Sequence, residues 1–204
     1  MTATLVLVIG AILILIGVLL FQPVWFRSSV QKKALAGDAA SQYTLGVLCY
    51  VGKHFPQDDQ QAFYWFSQSA QQGYAKAYNA LAGLYNEGRG CAKDPQKSFS
   101  YYQKSAQTGD FEGRVNLALC HLQGIGTPKD ETQGFTLLKQ AADDKSPIAQ
   151  TLLAQLYERG TGTPKDEKQA LHYYLLAAKA GEPMAKKWMD QRQPQYLQQY
   201  KNQN

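Results

Sequence analysis

The sequence predicts an all-α fold, an α/α solenoid in which four helix-turn-helix repeats of 36 residues form a right-handed superhelix. This prediction rests on three observations: a fixed internal period, two apolar stripes of helical spacing in each period, and glycine and aspartate residues at the expected ends and starts of helices. An offset of 36 aligns four copies without insertion, at residues 38–73, 74–109, 110–145 and 146–181. Three uniform columns result, Gly52, Gly88, Gly124, Gly160, then Asp58, Asp94, Asp130, Asp166, and then Ala70, Ala106, Ala142, Ala178.

The two stripes define helix A and helix B of each copy. In the fourth copy the first stripe follows one face of a helix and consists of Ala149, Leu153, Leu156 and Tyr157. The second stripe predicts helix B and consists of Ala170, Tyr173, Tyr174, Ala177 and Ala178. Small residues in each stripe let the helix backbones approach closely, and the aromatic residues fill the space between copies.

The turn from helix A to helix B is marked equally clearly. Gly160 and Gly162 end helix A and permit left-handed backbone, and Asp166 stands where a side chain caps the start of helix B. Two copies depart from this pattern. His54 replaces the second loop glycine of the first copy, so we expect a different turn there, and Lys145 replaces the glycine that closes the third copy.

The run L-x-x-L-Y-x-x-G-x-G-x-x-K-D-x-x-x-A-x-x-Y-Y-x-x-A-A-x-x-G resembles the Sel1-like repeat, a relative of the tetratricopeptide repeat. The resemblance covers about residues 34–190, and its signature positions are Leu153, Tyr157, Gly160, Gly162, Asp166, Ala170, Tyr174, Ala178 and Gly181. It implies a scaffold or adaptor that binds a protein or peptide partner. A capping half-repeat at residues 28–37 and a C-terminal capping helix with a polar tail at residues 182–204 complete the predicted array.

Residues 1–27 are predicted to be an N-terminal transmembrane anchor with interfacial residues. Residues 3–21 form an uncharged run of about the length that a helix needs to cross a bilayer. A cleaved signal peptide is disfavoured because no basic residue precedes the run and no small-x-small site follows it. Arg27, Lys32 and Lys33 flank only its C-terminal end. The sequence therefore predicts a single-pass protein of a bacterial inner membrane with cytoplasmic repeats, the alternative being periplasmic repeats.

Charge and chemistry-bearing residues exclude several function classes. Three of the five net positive charges lie beside the apolar run, so the repeats are too weakly basic to suggest nucleic acid. His54, His121 and His172 occupy unrelated repeat positions, which argues against a catalytic or metal site. The odd number of cysteines, three, does not describe a disulfide framework. No cofactor, no metal and no small-molecule substrate are expected.

The partner-binding surface is predicted on the side of helix A that faces away from the core stripe. Its residues are Tyr43, Val47, Tyr50, Asn79, Asn86, Val115, Leu119, Leu122, Gln155 and Glu158. Apolar side chains in the first and third copies, separated by small ones in the second, predict a partly apolar groove for a peptide or protein. The alternative is that superhelical curvature packs these residues against a neighbouring helix.

The predicted function is therefore that of a membrane-anchored scaffold or adaptor, and not an enzyme. Two alternatives stay open, both implied by the resemblance. One is an envelope or toxin-neutralising immunity protein whose repeats face the periplasm. The more distant one is a hydrolase of the penicillin-recognising class, because Ser29 and Lys32 spell S-x-x-K.

Overall fold

The computed structural model describes residues 29–53 and 56–201, with side chains as far as residue 192. Every described element is a helix: α1 (helical residues 29–35), α2 (Ala39–Val51), α3 (Asp59–Gln71), α4 (Ala75–Glu87), α5 (Pro95–Gln107), α6 (Phe111–Gln123), α7 (Glu131–Asp143), α8 (Pro147–Arg159), α9 (Glu167–Lys179) and α10 (Pro183–Lys201). The predicted helix pairs are confirmed, since α2, α4, α6 and α8 are the A helices and the element after each is its B helix. The chain divides into two compact units, Met1–Lys93 and Asp94–Asn204.

The aspartate column caps the B helices, as the sequence predicts. The Asp58 carboxylate accepts from the amides of Gln60 and Gln61 at 3.0 and 2.9 Å, and Asp166 accepts from the Gln169 amide at 3.0 Å. These bonds satisfy amide groups that a helix leaves without a partner at its first turn. Asp94 and Asp130 cap α5 and α7 in the same way.

The core of the second unit lies between the stripes of successive helix pairs. One cluster joins α6, α7 and α8 and consists of Val115, Ala118, Leu138, Ala141, Ala142, Ala149, Leu153 and Leu156. A second joins α8, α9 and α10 around Ala154, Ala170, Tyr174, Ala177 and Ala185. The alanines are fully or almost fully buried, which lets the helices approach closely enough for the leucines and Tyr174 to fill the space between them.

An edge-to-face aromatic pair joins helix B of one copy to helix A of the next. The ring centroids of Phe63 and Tyr85 lie 5.4 Å apart at an interplanar angle of 87° in the first unit. In the second unit Phe135 and Tyr157 lie 5.3 Å apart at 89°. His121 occupies the tyrosine position in the third copy and pairs with Phe99 at 5.3 Å and 84°. The same interface geometry is thus repeated with imidazole in place of phenol.

The second loop glycine of each turn lies against the start of the preceding B helix. A Cβ atom on Gly90 would lie 2.0 Å from the Asp59 carbonyl oxygen, and one on Gly162 would lie 2.1 Å from the Glu131 carbonyl oxygen. The Lys129 ammonium lowers the pKa of the Glu131 carboxylate, and the Gly162 amide contributes to the same shift. Close approach therefore accounts for this glycine column. Residues 54 and 55, where a different turn is expected, lie outside the described residues.

Lys145 closes the third copy in the left-handed conformation that glycine adopts in the other copies. Its φ is 64°, against 81°, 86° and 94° for Gly73, Gly109 and Gly181. A side chain in this region costs about 1–2 kcal/mol. The Lys145→Gly substitution should therefore raise the free energy of unfolding by about 1 kcal/mol, after allowance for the greater freedom of glycine in the unfolded chain. Urea denaturation measures the change, and Lys145→Ala, which keeps the strain, should show no gain.

The predicted localisation as a single-pass inner-membrane protein is not supported by the structure. The predicted anchor, residues 1–27, lies outside the described residues. Within residues 29–53 and 56–201, no helix is both long and apolar enough to cross a membrane. The 19-residue α10 has the length but is rich in lysine, arginine and glutamine. The predicted cytoplasmic orientation of the repeats depends on this anchor, so it is not supported either.

The C-terminal helix runs further than the sequence predicts. The sequence predicts a fifth helix A over residues 183–191 and a separate capping turn after Pro194, but α10 continues to Lys201. A proline inside a helix removes one backbone donor, so only the bond to the carbonyl of Asp190 is lost at this point. The polar residues that follow therefore extend the helix instead of forming a separate capping turn.

Candidate functional site

The predicted groove residues of the first unit are half-buried and contact neighbouring elements. The Tyr43 ring lies 5.6 Å from that of Phe66 and 5.4 Å from that of Tyr74. Val47 is also half-buried, as are the two asparagines predicted to separate the apolar copies, Asn79 and Asn86. Part of each of these side chains remains accessible on the surface of α2 and α4.

The face of Tyr50 is covered by Arg89. The guanidinium carbon lies 3.9 Å from the centroid of the Tyr50 ring. The same guanidinium donates two hydrogen bonds to the Asp59 carboxylate, at 2.7 and 3.0 Å. These bonds hold the pKa of Asp59 below its usual value. Because the guanidinium is held by both the ring and the carboxylate, one face of the Tyr50 ring is already occupied within the chain.

The groove residues of the third copy pack into the helical core. Val115 is 7% exposed and belongs to the buried cluster between α6, α7 and α8. Leu119 and Leu122 are half-buried and pack against the same cluster. These apolar side chains therefore pack largely against neighbouring helices. Such packing is the alternative to a groove that the sequence left open.

A glycine on α7 explains how Leu122 is accommodated. A Cβ atom on Gly134 would lie 2.5 Å from Leu122 Cγ and 3.0 Å from the Ala118 carbonyl oxygen. The other copies have alanine or serine at this position, namely Ala62, Ser98 and Ala170, and none of them has leucine at the position of Leu122. The glycine therefore accompanies the one leucine that enters the space between helix A and helix B.

We expect Gly134→Ala to cost about 2 kcal/mol by overpacking, and Leu122→Ala to remove most of that cost. The measurement is a double-mutant cycle in urea unfolding, with an expected coupling of about 1–2 kcal/mol. Additivity of the two changes to within about 0.5 kcal/mol would mean that Leu122 does not occupy this space.

In the fourth copy, the two predicted groove residues differ in their engagement. Gln155 is half-buried. Glu158 accepts a hydrogen bond from the Tyr174 hydroxyl at 3.1 Å and forms an ion pair with Arg192 of α10. The guanidinium of Arg192 also lies 5.4 Å from the centroid of the Trp188 ring. Glu158 therefore fixes α10 against α8 and α9, so its charge is already satisfied within the chain.

An exposed apolar edge lies at the start of the A helices of the second unit. Phe111, the first residue of α6, is 44% exposed, and Ile148, the second residue of α8, is 54% exposed. A recess of about 190 Å³ lies between them, lined also by Glu112, Val115 and Ser146. Met184 occupies the corresponding position of α10 and is 59% exposed. We refer to Phe111, Ile148 and Met184 as the apolar edge.

Sequence reasoning missed the apolar edge because it assigned function to the middle of helix A. The signal was present in the alignment of the copies. Ile148 and Met184 fall in the column that holds Ala40 and Lys76 in the first two copies, and Phe111 falls in the column of Ala39 and Ala75. Large apolar residues at the start of a helix and outside its core stripe are the signal by which the apolar edge could have been found from the sequence.

A second concave surface, the B-side cleft, opens between α5 and α7 above α6. It has a volume of about 670 Å³ and is open to solvent. Its lining residues are Gln103, Ala106, Gln107, Arg114, Leu117, Leu137, Gln140, Asp143 and Asp144. The floor is apolar and the rim carries amide and charged groups. None of its lining residues was predicted as a site residue.

The described residues bring no metal-binding cluster together. Among them, no group of three or more histidine, cysteine, aspartate or glutamate side chains could hold a metal ion. Cys49 and Cys120 are buried, and burial raises the pKa of the Cys120 thiol to about 11. Cys91 is partly exposed, and none of the three cysteines forms a disulfide bond. These two buried thiols act as small apolar side chains.

Comparison with known proteins places these repeats in a family. The Sel1 repeat model matches residues 39–74, 75–110, 112–146 and 147–182. The fold is similar to that of a Sel1 repeat protein from Oxalobacter formigenes, with 29% identity and a TM-score of 0.73 over 76% of this chain and 62% of that one. It is also similar to a protective antigen of uropathogenic Escherichia coli with an SLR fold, with 29% identity and a TM-score of 0.67 over 83% of this chain and 36% of that one.

This chain therefore spans about 62% and 36% of the lengths of those two proteins. No curated protein sequence matches it. Proteins built from Sel1 repeats typically mediate protein–protein interaction. The matched segments begin one residue after each predicted copy boundary or, for the third copy, two residues after it, and they cover the helix pairs α2–α3, α4–α5, α6–α7 and α8–α9. With four consecutive matches over most of its length, the chain belongs to the Sel1 repeat family.

Proposed function

We propose that this protein is an interaction scaffold that captures a peptide or protein partner on the A-helix side of its repeats. The observation that carries the proposal is the apolar edge of the second unit. Phe111 and Ile148 stand on either side of a recess whose floor includes Val115, so an apolar side chain of a partner has contacts on three sides. Exposed apolar residues grouped around a recess are typical of protein-binding surfaces.

The apolar edge differs from an ordinary exposed leucine in its geometry. Burial of apolar surface contributes about 25 cal/mol per Å², and it contributes most where a side chain is enclosed instead of resting on a flat surface. The recess has room for one apolar side chain, and the exposed Glu112 side chain beside it provides a polar group for the adjoining partner backbone. A partner segment that inserts a single apolar anchor fits this arrangement.

The half-exposed groove residues predicted from the sequence belong to the same proposal. Tyr43, Val47, Asn79 and Asn86 on the first unit, and Gln155 on the second, lie on A helices and remain partly accessible. Asparagine and glutamine side chains both donate and accept hydrogen bonds, so they suit the backbone of an extended peptide. Each unit thus contributes an A-helix surface of its own to partner binding.

Site-specific photo-crosslinking tests the proposal. The full chain is produced in its source cells with p-benzoylphenylalanine at position 148, and its covalent adducts are identified by mass spectrometry. We expect a small set of discrete protein adducts that disappear when Phe111→Ser is added. The matched control carries the crosslinker at Leu175, an exposed apolar residue on α9 that lies outside the recess.

Two results would contradict this function. One is the same adduct pattern from positions 148 and 175, which would indicate non-selective collisions with an exposed apolar surface. The other is a set of adducts that Phe111→Ser leaves unchanged while the melting temperature is also unchanged. Circular dichroism of each variant separates loss of binding from loss of folding.

A further inference from the structure

One position that lines the B-side cleft, that of Leu137, lacks the aromatic ring that the other copies have there. The column of Leu137 holds Trp65, Tyr101 and Tyr173 in the other copies. In the fourth copy the Tyr173 ring packs against the cluster between α6, α7 and α8 and stacks on Tyr157 at a centroid distance of 5.9 Å. Leucine at position 137 has no such ring, and it lines the open cleft of about 670 Å³ between α5 and α7.

The floor and rim of the cleft have different chemistry. Leu117 and Leu137 form an apolar floor, and Leu117 is buried by the surrounding helices. Three amide side chains, those of Gln103, Gln107 and Gln140, line the rim. A ligand that lies in the cleft would place an aliphatic segment on the leucines and polar groups against the amides.

The charges at the rim are unequal, and they favour a cation. The Arg114 guanidinium forms an ion pair with the Asp144 carboxylate, so its positive charge is already neutralised. Asp143 lines the same cleft and forms no ion pair with any described side chain. One exposed carboxylate therefore remains beside an apolar floor.

We propose that the B-side cleft binds an arginine or lysine side chain of a partner peptide. The aliphatic stem of such a residue covers Leu117 and Leu137, and its cationic head reaches the Asp143 carboxylate. The rim glutamines accept hydrogen bonds from the head or pair with the peptide backbone on either side of it. An acidic side chain is disfavoured, because the only guanidinium in the lining already has a carboxylate partner.

The B-side cleft is a binding surface separate from the apolar edge. The inference rests on the proposed scaffold function only in that the ligand is a peptide. The two surfaces have no lining residue in common. Crosslinking from position 148 and binding at the cleft therefore succeed or fail separately, and failure at one does not imply failure at the other.

Titrations followed by NMR test the inference with three small probes. The ¹⁵N-labelled full chain is titrated with N-acetylated, C-amidated tripeptides Ala-Xaa-Ala, in which Xaa is arginine, norleucine or glutamate. We expect saturable shifts of the Leu117, Leu137 and Gln140 amide signals with the arginine peptide. Norleucine, which keeps the stem and lacks the charge, should bind several-fold more weakly, and the glutamate peptide should cause no saturable shift.

Three variants assign the effect to named groups. Asp143→Asn removes the charge at an exposed position and should weaken the arginine peptide about threefold, the size expected of an exposed ion pair. Leu137→Tyr introduces the residue that two other copies carry, places a larger ring on the floor of the cleft and should weaken binding of the arginine peptide. Asp190→Asn, an exposed carboxylate on α10 outside the cleft, is the matched control and should leave binding unchanged.

The inference is overturned by any of four results. The first is the absence of saturable shifts at the cleft with the arginine peptide. The second is equal binding of the norleucine peptide, which would make the cleft an apolar groove without charge preference. The third is binding of the glutamate peptide. The fourth is insensitivity of arginine binding to Asp143→Asn. Because Asp143 is exposed, this variant is informative even if Leu137→Tyr disturbs the fold.

Discussion

Alanine at position 162 should lower the free energy of unfolding by about 3–5 kcal/mol, a large effect for the addition of one methyl group. The Gly162 φ of 68° costs about 1–2 kcal/mol for a residue with a side chain. The new Cβ atom would also lie 2.1 Å from the Glu131 carbonyl oxygen and 3.0 Å from Phe135 Cβ. The nearest atoms, the carbonyl oxygen and carbon of Glu131, are backbone, so the clash is relieved only if the loop moves away from the start of α7, at a further cost typical of overpacking.

Gly181→Ala is the matched control for this prediction. Its φ is 94°, which is also left-handed, but no atom lies within 4 Å of the position that its Cβ would occupy. It should therefore lose only the conformational term, about 1–2 kcal/mol. Urea denaturation followed by circular dichroism compares the two variants. Equal destabilisation would show that contact with α7 does not determine the loop glycine.

Truncation of Tyr174 should cost about 3–5 kcal/mol, as large-to-small changes of aromatic residues in a core do. Tyr174 is 2% exposed, and its ring stacks on that of Trp188 at a centroid distance of 3.9 Å. It is the largest residue of the cluster that holds α10 against α8 and α9. Tyr174→Ala should therefore loosen α10 as well as destabilise the unit.

Tyr174→Phe provides the corresponding control, because it removes only the hydroxyl that donates to Glu158. Glu158 keeps its ion pair with Arg192, so its charge is not left alone, and the loss should be about 1 kcal/mol. Thermal unfolding and amide hydrogen exchange of α10 measure both effects. Retention of α10 protection in Tyr174→Ala would contradict the proposed role of this ring.

The helix pairs were predictable because each is encoded by residues close in sequence. Asp166 caps the helix that begins at the next residue, and Gly160 ends the helix immediately before it, so local chemistry decides both boundaries. The same pattern occurs four times, which strengthens every single assignment. Lys145 follows this rule as well, since it keeps the left-handed conformation of the glycine that it replaces.

The candidate site was less predictable because it depends on contacts between elements. A single apolar stripe implied one buried face for helix A, but α6 also packs against α7 and α8, and these bury Val115. Leu122 enters a space created by Gly134, a relation visible only when two helices are compared. The B-side cleft also contains an exception, Leu137 in an otherwise aromatic column. Both surfaces for which we propose a binding role thus contain departures from the repeat.

The loop glycines give the array a direction. Gly90, Gly126 and Gly162 lie over the starts of α3, α5 and α7, so each of these B helices is covered at its beginning by the loop of the following copy. The residue one period after Gly162 is Gln198, which belongs to the helix α10 and not to a loop. The start of α9 therefore has no such cover within the described residues. We therefore expect the amide hydrogens at the start of α9 to exchange faster than those at the start of α7.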